Sequence, residues 1–391
     1  MVIYKKTFLD IITKIILLLF FCYLFWYQYY IGTIPYAIFI FGGIIMVLAL
    51  LRINPLHQFR FLLGVVLFLF VAFISSSLFS SSRSASLSFL SKIITYFLCS
   101  IGVFTFIGND FEKFKSVLRI IVFPIILLCF SSFRNPEVYK TGAITVGSLN
   151  TNVFSIFLTL YLIACLILLV SDNRNKIIYQ GLILLGFVTQ VNCASRRGFI
   201  VYIFICGSMF LLNNGSSDKT WKKILSWIAL IGGCFALYYV LGNLSSYSNI
   251  PLVNRLLTKD TYSDQLRKYY KICAIDLFKT NPLFGNGLGS VEIAIGMYSH
   301  SFYYELLSCV GVLGTGIMFM ILIRNICFFY KNKVNEEMYR INLIMILFIV
   351  SLFITGFAVV LIYDIVFYVM LALICSYHRI LTEWGKNNIF F

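Results

Sequence analysis

Twelve apolar segments recur along the chain, at 9–27, 34–51, 59–78, 87–109, 115–131, 150–170, 177–193, 198–212, 223–242, 301–323, 341–356 and 361–377, with short polar stretches between them. A helix rises 1.5 Å per residue, so segments of about 20 residues match the roughly 30 Å hydrocarbon core of a bilayer. The pattern predicts an all-α, polytopic transmembrane helical protein of about 12 spans. The last pair could be one element, because no obvious polar loop interrupts 341–377. Its length as one helix, about 55 Å, is too great for a single crossing, and Gly356 offers a place to turn. Eleven or ten spans are the alternatives to twelve.

Composition agrees with this pattern. Of the 391 residues 60% are hydrophobic and 12% charged, more apolar surface than a soluble domain can hide. No Ala-rich processing site follows the first apolar run, so that run reads as a retained span. The 11 cysteines mostly sit singly inside apolar runs and read as small hydrophobes.

A formal charge of +16 would suggest nucleic acid in a soluble protein. Here hydropathy excludes a soluble nucleic-acid binder, and lysine and arginine gather in cytoplasmic loops. With Lys5 and Lys6 inside, the same side receives Arg52 with Arg60, Lys113 with Lys115 and Arg119, Arg174 with Lys176, Lys219 with Lys222 and Lys223, Arg324 through Arg340, and Arg379 with Lys386. Both termini are then cytoplasmic. The external segments are 28–33, the SSSLFSSSRSAS stretch, 132–149, the CASRRG turn and the long stretch 243–300. Three regions result: a bundle of about nine spans over 1–242, an external loop over 243–300, and C-terminal transmembrane helices over 301–391.

Basic residues on the external side need a reason. Arg196 and Arg197 in NCASRRGFIVYIF either contact lipid head groups or form an anion site, since a guanidinium fork matches phosphate oxygens. In SDQLRKYYKICAIDLFKTNPLFGNG, apolar groups at Leu266, Tyr270, Cys273 and Leu277 predict an amphipathic helix near the membrane surface. Arg267 and Lys271, four apart, share one of its faces; the helix could equally be a lid anchored by its charge to anionic lipid. Pro282 stops it, and glycines at 285, 287 and 289 permit a tight turn. These glycines do not make a dinucleotide loop, because no βαβ unit surrounds them.

His300 follows, one of three histidines in the chain, and it can exchange a proton near neutral pH. Tyr303 and Tyr304 read either as an interfacial aromatic belt or as a sugar-stacking surface. Glu305 could orient His300 or pair with an arginine. The external acidic residues Asp260, Asp264, Asp276 and Glu292 form no close pair, so no metal and no cofactor are expected.

Three stretches carry a resemblance: SRRG at 195–198, Arg267 fifteen residues before the proline of NPLFGNGLG, and HS followed by nine residues and GVLG at 300–314. They resemble the bacterial O-antigen ligase and polysaccharide polymerase family, membrane enzymes acting on polyprenyl-diphosphate-linked sugars, over about residues 190–320. The resemblance implies His300 as the base that activates the acceptor hydroxyl, and Arg267 and Arg196 as diphosphate clamps, with Arg197 a further candidate. Lys271, Tyr303 and Glu305, read from their own positions, are the further substrate-binding candidates, and the resemblance implies an active site on the outer face of the cytoplasmic membrane.

The expected partners are a polyprenyl-diphosphate-linked glycan donor, a glycan or lipid-linked acceptor, the lipid bilayer and a chain-length regulator. No nucleic acid is expected. A leaving diphosphate makes a strong general acid unnecessary, and attack opposite the lipid predicts inversion at the anomeric carbon. Polymerisation of repeat units is preferred to ligation onto lipid A core or another terminal acceptor. A lipid-linked oligosaccharide flippase is the alternative of another class.

Overall fold

The structure, a computed structural model, describes residues 2–30, 36–50, 59–134, 137–138, 144–145, 149–172, 174–193, 195–213, 261–332 and 335–388. Within these the chain is all-α apart from a two-residue antiparallel pairing of β1 (Glu137–Val138) with β2 (Ile144–Thr145). The predicted span 223–242, the first part of the predicted external segment (243–260) and His57 lie outside the described residues.

Besides a three-residue helical turn at Gln28–Tyr30, thirteen α-helices follow in order among the described residues: α1 (Val2–Cys22), α2 (Ala37–Leu50), α3 (Phe59–Ile74), α4 (Arg83–Ile107), α5 (Phe111–Arg134), α6 (Thr151–Ser171), α7 (Lys176–Cys193), α8 (Arg196–Asn213), α9 (Thr261–Thr280), α10 (Ser290–Ile295), α11 (Phe302–Lys331), α12 (Glu336–Gly356) and α13 (Ile365–Asn388). α1 and α3 continue as π-helical turns over Tyr23–Tyr27 and Ser75–Phe79.

Seven of these stretches are long and apolar enough to cross a membrane: Phe8–Tyr27, Arg83–Ile107, Phe111–Phe133, Thr151–Ser171, Phe302–Lys331, Glu336–Gly356 and Ile365–Gly385. The chain is a multi-pass membrane protein. The other predicted spans that are described form shorter helices: α2 has 14 residues, so its length of about 21 Å falls short of the hydrocarbon core.

By contact in space the residues group into two units. The first comprises Met1–Cys22, Ile34–Ile120 and Thr261–Phe391. Here the first half of α13, 365–375, is apolar around its whole circumference, with Val366, Phe367, Val369, Met370 and Ile374 all buried, as expected of a helix enclosed by others. Phe97 of α4 meets Tyr368 of α13 edge to face at 4.7 Å. On α3, Leu63, Val66, Leu67, Phe70 and Phe73 remain exposed at helical spacing, a stripe suited to lipid.

The second unit comprises Tyr23–Thr33 and Ile121–Asp260. Its centre is α6, buried from Phe154 to Leu168. Tyr161 of α6 and Tyr202 of α8 donate to the Leu182 and Ile183 carbonyls of α7 at 2.8 and 2.7 Å. Each buried phenol thereby finds an acceptor among surrounding apolar groups.

Candidate functional site

In the first unit α9 stops at Asn281–Pro282. The Asn286 side chain closes its end, donating to the Leu277 carbonyl at 2.5 Å while accepting from Thr280 Oγ1 at 2.8 Å and Asn281 Nδ2 at 2.7 Å. The NPLFGNGLG loop then runs against α11, whose backbone breaks at Gly311 (φ 62°, ψ −166°).

In an unbroken helix the Ser308 and Cys309 carbonyls would accept from Val312 and Leu313. Instead they accept from the loop, from Asn286 N at 2.8 Å and Gly287 N at 3.0 Å. The released Val312 and Leu313 N–H groups donate to the Pro282 and Leu283 carbonyls at 2.9 and 3.3 Å. The loop is spliced into the helix, and these four peptide groups freed by the break find new partners, as a membrane interior demands.

Glycine is required at this splice. A Cβ on Gly285 (φ 76°) would lie 2.5 Å from the Cys309 carbonyl, and one on Gly311 would strike the Leu283 carbonyl. Serines after α3 and in the first turn of α4 complete it. Ser75 Oγ accepts from Gly287 N at 2.8 Å and donates to the Cys309 carbonyl at 2.6 Å. Ser76 Oγ accepts from Leu288 N at 3.2 Å, and Ser86 Oγ donates to the Leu288 carbonyl at 2.8 Å.

The splice anchors the segment leading to His300, which has φ 56°. Two tyrosine rings flank its imidazole: Tyr298 with centroids 4.5 Å apart, and Tyr270 of α9 stacked at 5.8 Å. Burial pushes the Tyr298 phenol up, and the negative charges of Glu292 and Glu305 push the same way, while Arg267 opposes them. Arg267 thus acts electrostatically on a ring in contact with His300, and Tyr270 lies one turn after Arg267 on α9.

Arg267 itself pairs with Asp264 at 3.3 Å, its side chain 38% exposed, an arrangement that leaves much of the guanidinium accessible. Glu305 is fully buried. One carboxyl oxygen accepts from Ser299 N at 2.8 Å and the other from the Tyr363 hydroxyl at 3.1 Å. The carboxyl therefore answers to the protein backbone beside His300 rather than to an arginine.

Lys271 and Tyr303 have structural work at the end of α12. Lys271 Nζ reaches the Phe357 carbonyl at 3.4 Å and lies 6.0 Å from the Tyr304 ring centroid. Tyr303 donates to the Phe353 carbonyl at 2.6 Å, and Ser301 Oγ to the Gly356 carbonyl at 3.4 Å. Three side chains thus serve carbonyls that α12 leaves open at its C-terminus.

Arg196 and Arg197 open α8 in the second unit and are partly buried. The serine and glycine around them explain the local fold. Ser195 Oγ approaches Asn152 Oδ1 at 3.4 Å, and a Cβ on Gly198 would collide with Ser155 of α6. The SRRG stretch therefore marks a close helix crossing as well as two cations.

The structure brings Arg267, Lys271, His300, Tyr303 and Glu305 together at one end of the first unit. Sequence reasoning missed Ser75, Tyr298, Ser299 and Tyr363 as parts of this site. Tyr363 was hidden inside an apolar run; the triple serine at 75–77, polar at the end of a span, was the available signal. Among the described residues no group of three or more His, Cys, Asp or Glu side chains is arranged to hold a metal ion. No protein-family model matches this chain, and no curated protein sequence matches it.

Proposed function

We propose that this membrane protein belongs with the O-antigen ligases and polysaccharide polymerases, and that it polymerises polyprenyl-diphosphate-linked oligosaccharide repeat units at the outer face of the cytoplasmic membrane. His300 takes the proton from the acceptor hydroxyl as that oxygen attacks the anomeric carbon. The bond to the lipid diphosphate breaks, the configuration inverts, and Arg267 stabilises the charge on the departing diphosphate.

The observation that supports this reading is that His300 stacks on Tyr270, a residue nearly one turn from Arg267 on α9. A binding protein for lipid diphosphate would use the arginine but would have no chemical use for a histidine held in an unfavourable backbone conformation. The assignment of Arg196 and Arg197 to the diphosphate stands on the family resemblance.

The test is a liposome assay with wild type and His300→Ala, supplied with a polyprenyl-diphosphate repeat unit and resolved by product length. A product ladder from wild type that His300→Ala lacks, with both proteins folded, supports polymerisation with His300 in the chemistry. Transfer that occurs only when a terminal acceptor such as lipid A core is added makes the protein a ligase. Movement of intact substrate between leaflets, with no new glycosidic bond, makes it a flippase.

A further inference from the structure

His300 adopts the left-handed conformation although it has a Cβ, a backbone region that disfavours such residues. No glycine adjoins it; its neighbours are Ser299 and Ser301. What holds it are bonds on both sides. Ser299 Oγ donates to the Ser301 carbonyl at 2.9 Å, bridging His300, and the same carbonyl accepts from Glu305 N at 3.0 Å. Ser299 N donates to Glu305, tying the residue before His300 to the buried carboxyl.

Glu305 is fixed in turn by Tyr363, from the single 3-10 turn Leu361–Tyr363 between α12 and α13. The Tyr363 oxygen accepts from Gly289 N at 2.8 Å and donates to Glu305 at 3.1 Å, with Cys309 Sγ also 3.4 Å from it. Burial keeps that phenol protonated by pushing it well above its ordinary range. Its ring packs on Phe89 of α4 at 5.2 Å. One hydroxyl therefore joins the spliced loop, the carboxyl and the α12–α13 connection.

We infer that Glu305 and Tyr363 form a positioning couple that sets the backbone conformation, and hence the imidazole orientation, of His300. Its catalytic consequence rests on the proposed role of His300 as base, but the geometry is measurable without turnover. Neither residue needs to touch substrate.

The experiment uses the full chain in nanodiscs, labelled with 13C and 15N in the histidine rings. There are three histidines, and His300→Ala assigns the signal of interest. The His300 ring signals are expected to shift or split in Tyr363→Phe, which keeps the packing on Phe89 and removes only the hydroxyl. His378, whose Nδ1 lies 2.8 Å from Asn325 Oδ1 and whose ring stacks on Phe328, should keep its position. In the polymerisation assay kcat should fall about tenfold or more, with KM within about twofold.

Glu305→Gln preserves volume and reports the same quantity where Tyr363→Phe does not fold. Unchanged His300 signals in folded variants overturn the proposal. So does an equal disturbance of His378, which would mark general loss of packing. Absence of glycosyl transfer by wild type overturns the proposed function and leaves the ring comparison intact to decide the positioning.

Discussion

At the scale of single residues, the carboxyl groups beside the site are set by what surrounds them. Asp364 accepts from Val366 N at 2.9 Å at the start of α13, and desolvation pushes its carboxyl up to about 6 despite that bond. Because this value lies above that of the unfolded chain, about 3.9, the protonated carboxyl favours the fold. That contribution is complete below about 3.9 and is lost as pH rises through about 6. Asp364→Asn keeps a cap acceptor and removes the charge. It should melt higher than wild type at pH 8, with the gain shrinking at pH 5; equal gains at both values would refute the assignment. Tyr303 presents a second residue-level test, because its hydroxyl is occupied by the Phe353 carbonyl. Tyr303→Phe should cost about 1 kcal/mol of stability and leave KM for the lipid-linked donor unchanged. A raised KM without loss of stability would place the hydroxyl on substrate.

At the scale of elements, the spliced helix is the feature on which the site depends. Gly311→Ala should destabilise the protein by more than about 2 kcal/mol, since the left-handed backbone and the clash with Leu283 act together. Gly316→Ala, five residues along the same helix with open space around it, should stay within about 1 kcal/mol of wild type. Ser75→Ala leaves Gly287 N and the Cys309 carbonyl with only their direct bond of 3.0 Å and should cost about 1 kcal/mol. Ser91→Ala, which loses only an exposed bond to its own helix, is the matched control in the same melting experiment. The all-α, multi-pass character was legible in the long apolar runs, but of the twelve predicted spans seven recur among the described residues as helices long and apolar enough to cross a membrane. The break in α11 was not legible. Its residues read as one continuous apolar segment, and the groups that interrupt it come from Pro282 to Gly287 and from Ser75. Glu305 was similarly opaque: in sequence it stands at a helix mouth, and only Ser299 and Tyr363 explain how a carboxyl can be buried there.

At the scale of the whole molecule, charge and chain order carry the argument. The end of the first unit opposite His300 holds Lys113 paired with Asp10 at 2.9 Å, Lys115 paired with Glu112 at 2.5 Å, and Arg340 paired with Glu336 at 2.5 Å. If that end is cytoplasmic, as the proposed orientation requires, cysteines placed at the exposed positions Gln265 and Glu337 of a cysteine-free chain should react from opposite sides. An impermeant maleimide added to intact cells should label Gln265→Cys and spare Glu337→Cys; the reverse pattern would invert the topology. The grouping of residues into two spatial units was not readable from the sequence, since it joins 34–120 to 261–391 across a long intervening stretch. That joining bears on how the protein is made. When α11 leaves the ribosome, Ser75, Ser76, Ser86 and the NPLFGNGLG loop have already been synthesised, so its interrupted backbone meets waiting partners. Tyr363 is the exception, arriving 52 residues after the break at Gly311. Tyr363 is thus translated after both parts that its hydroxyl joins, and a nascent chain halted before that residue carries the spliced loop and Glu305 without the phenol that bonds them.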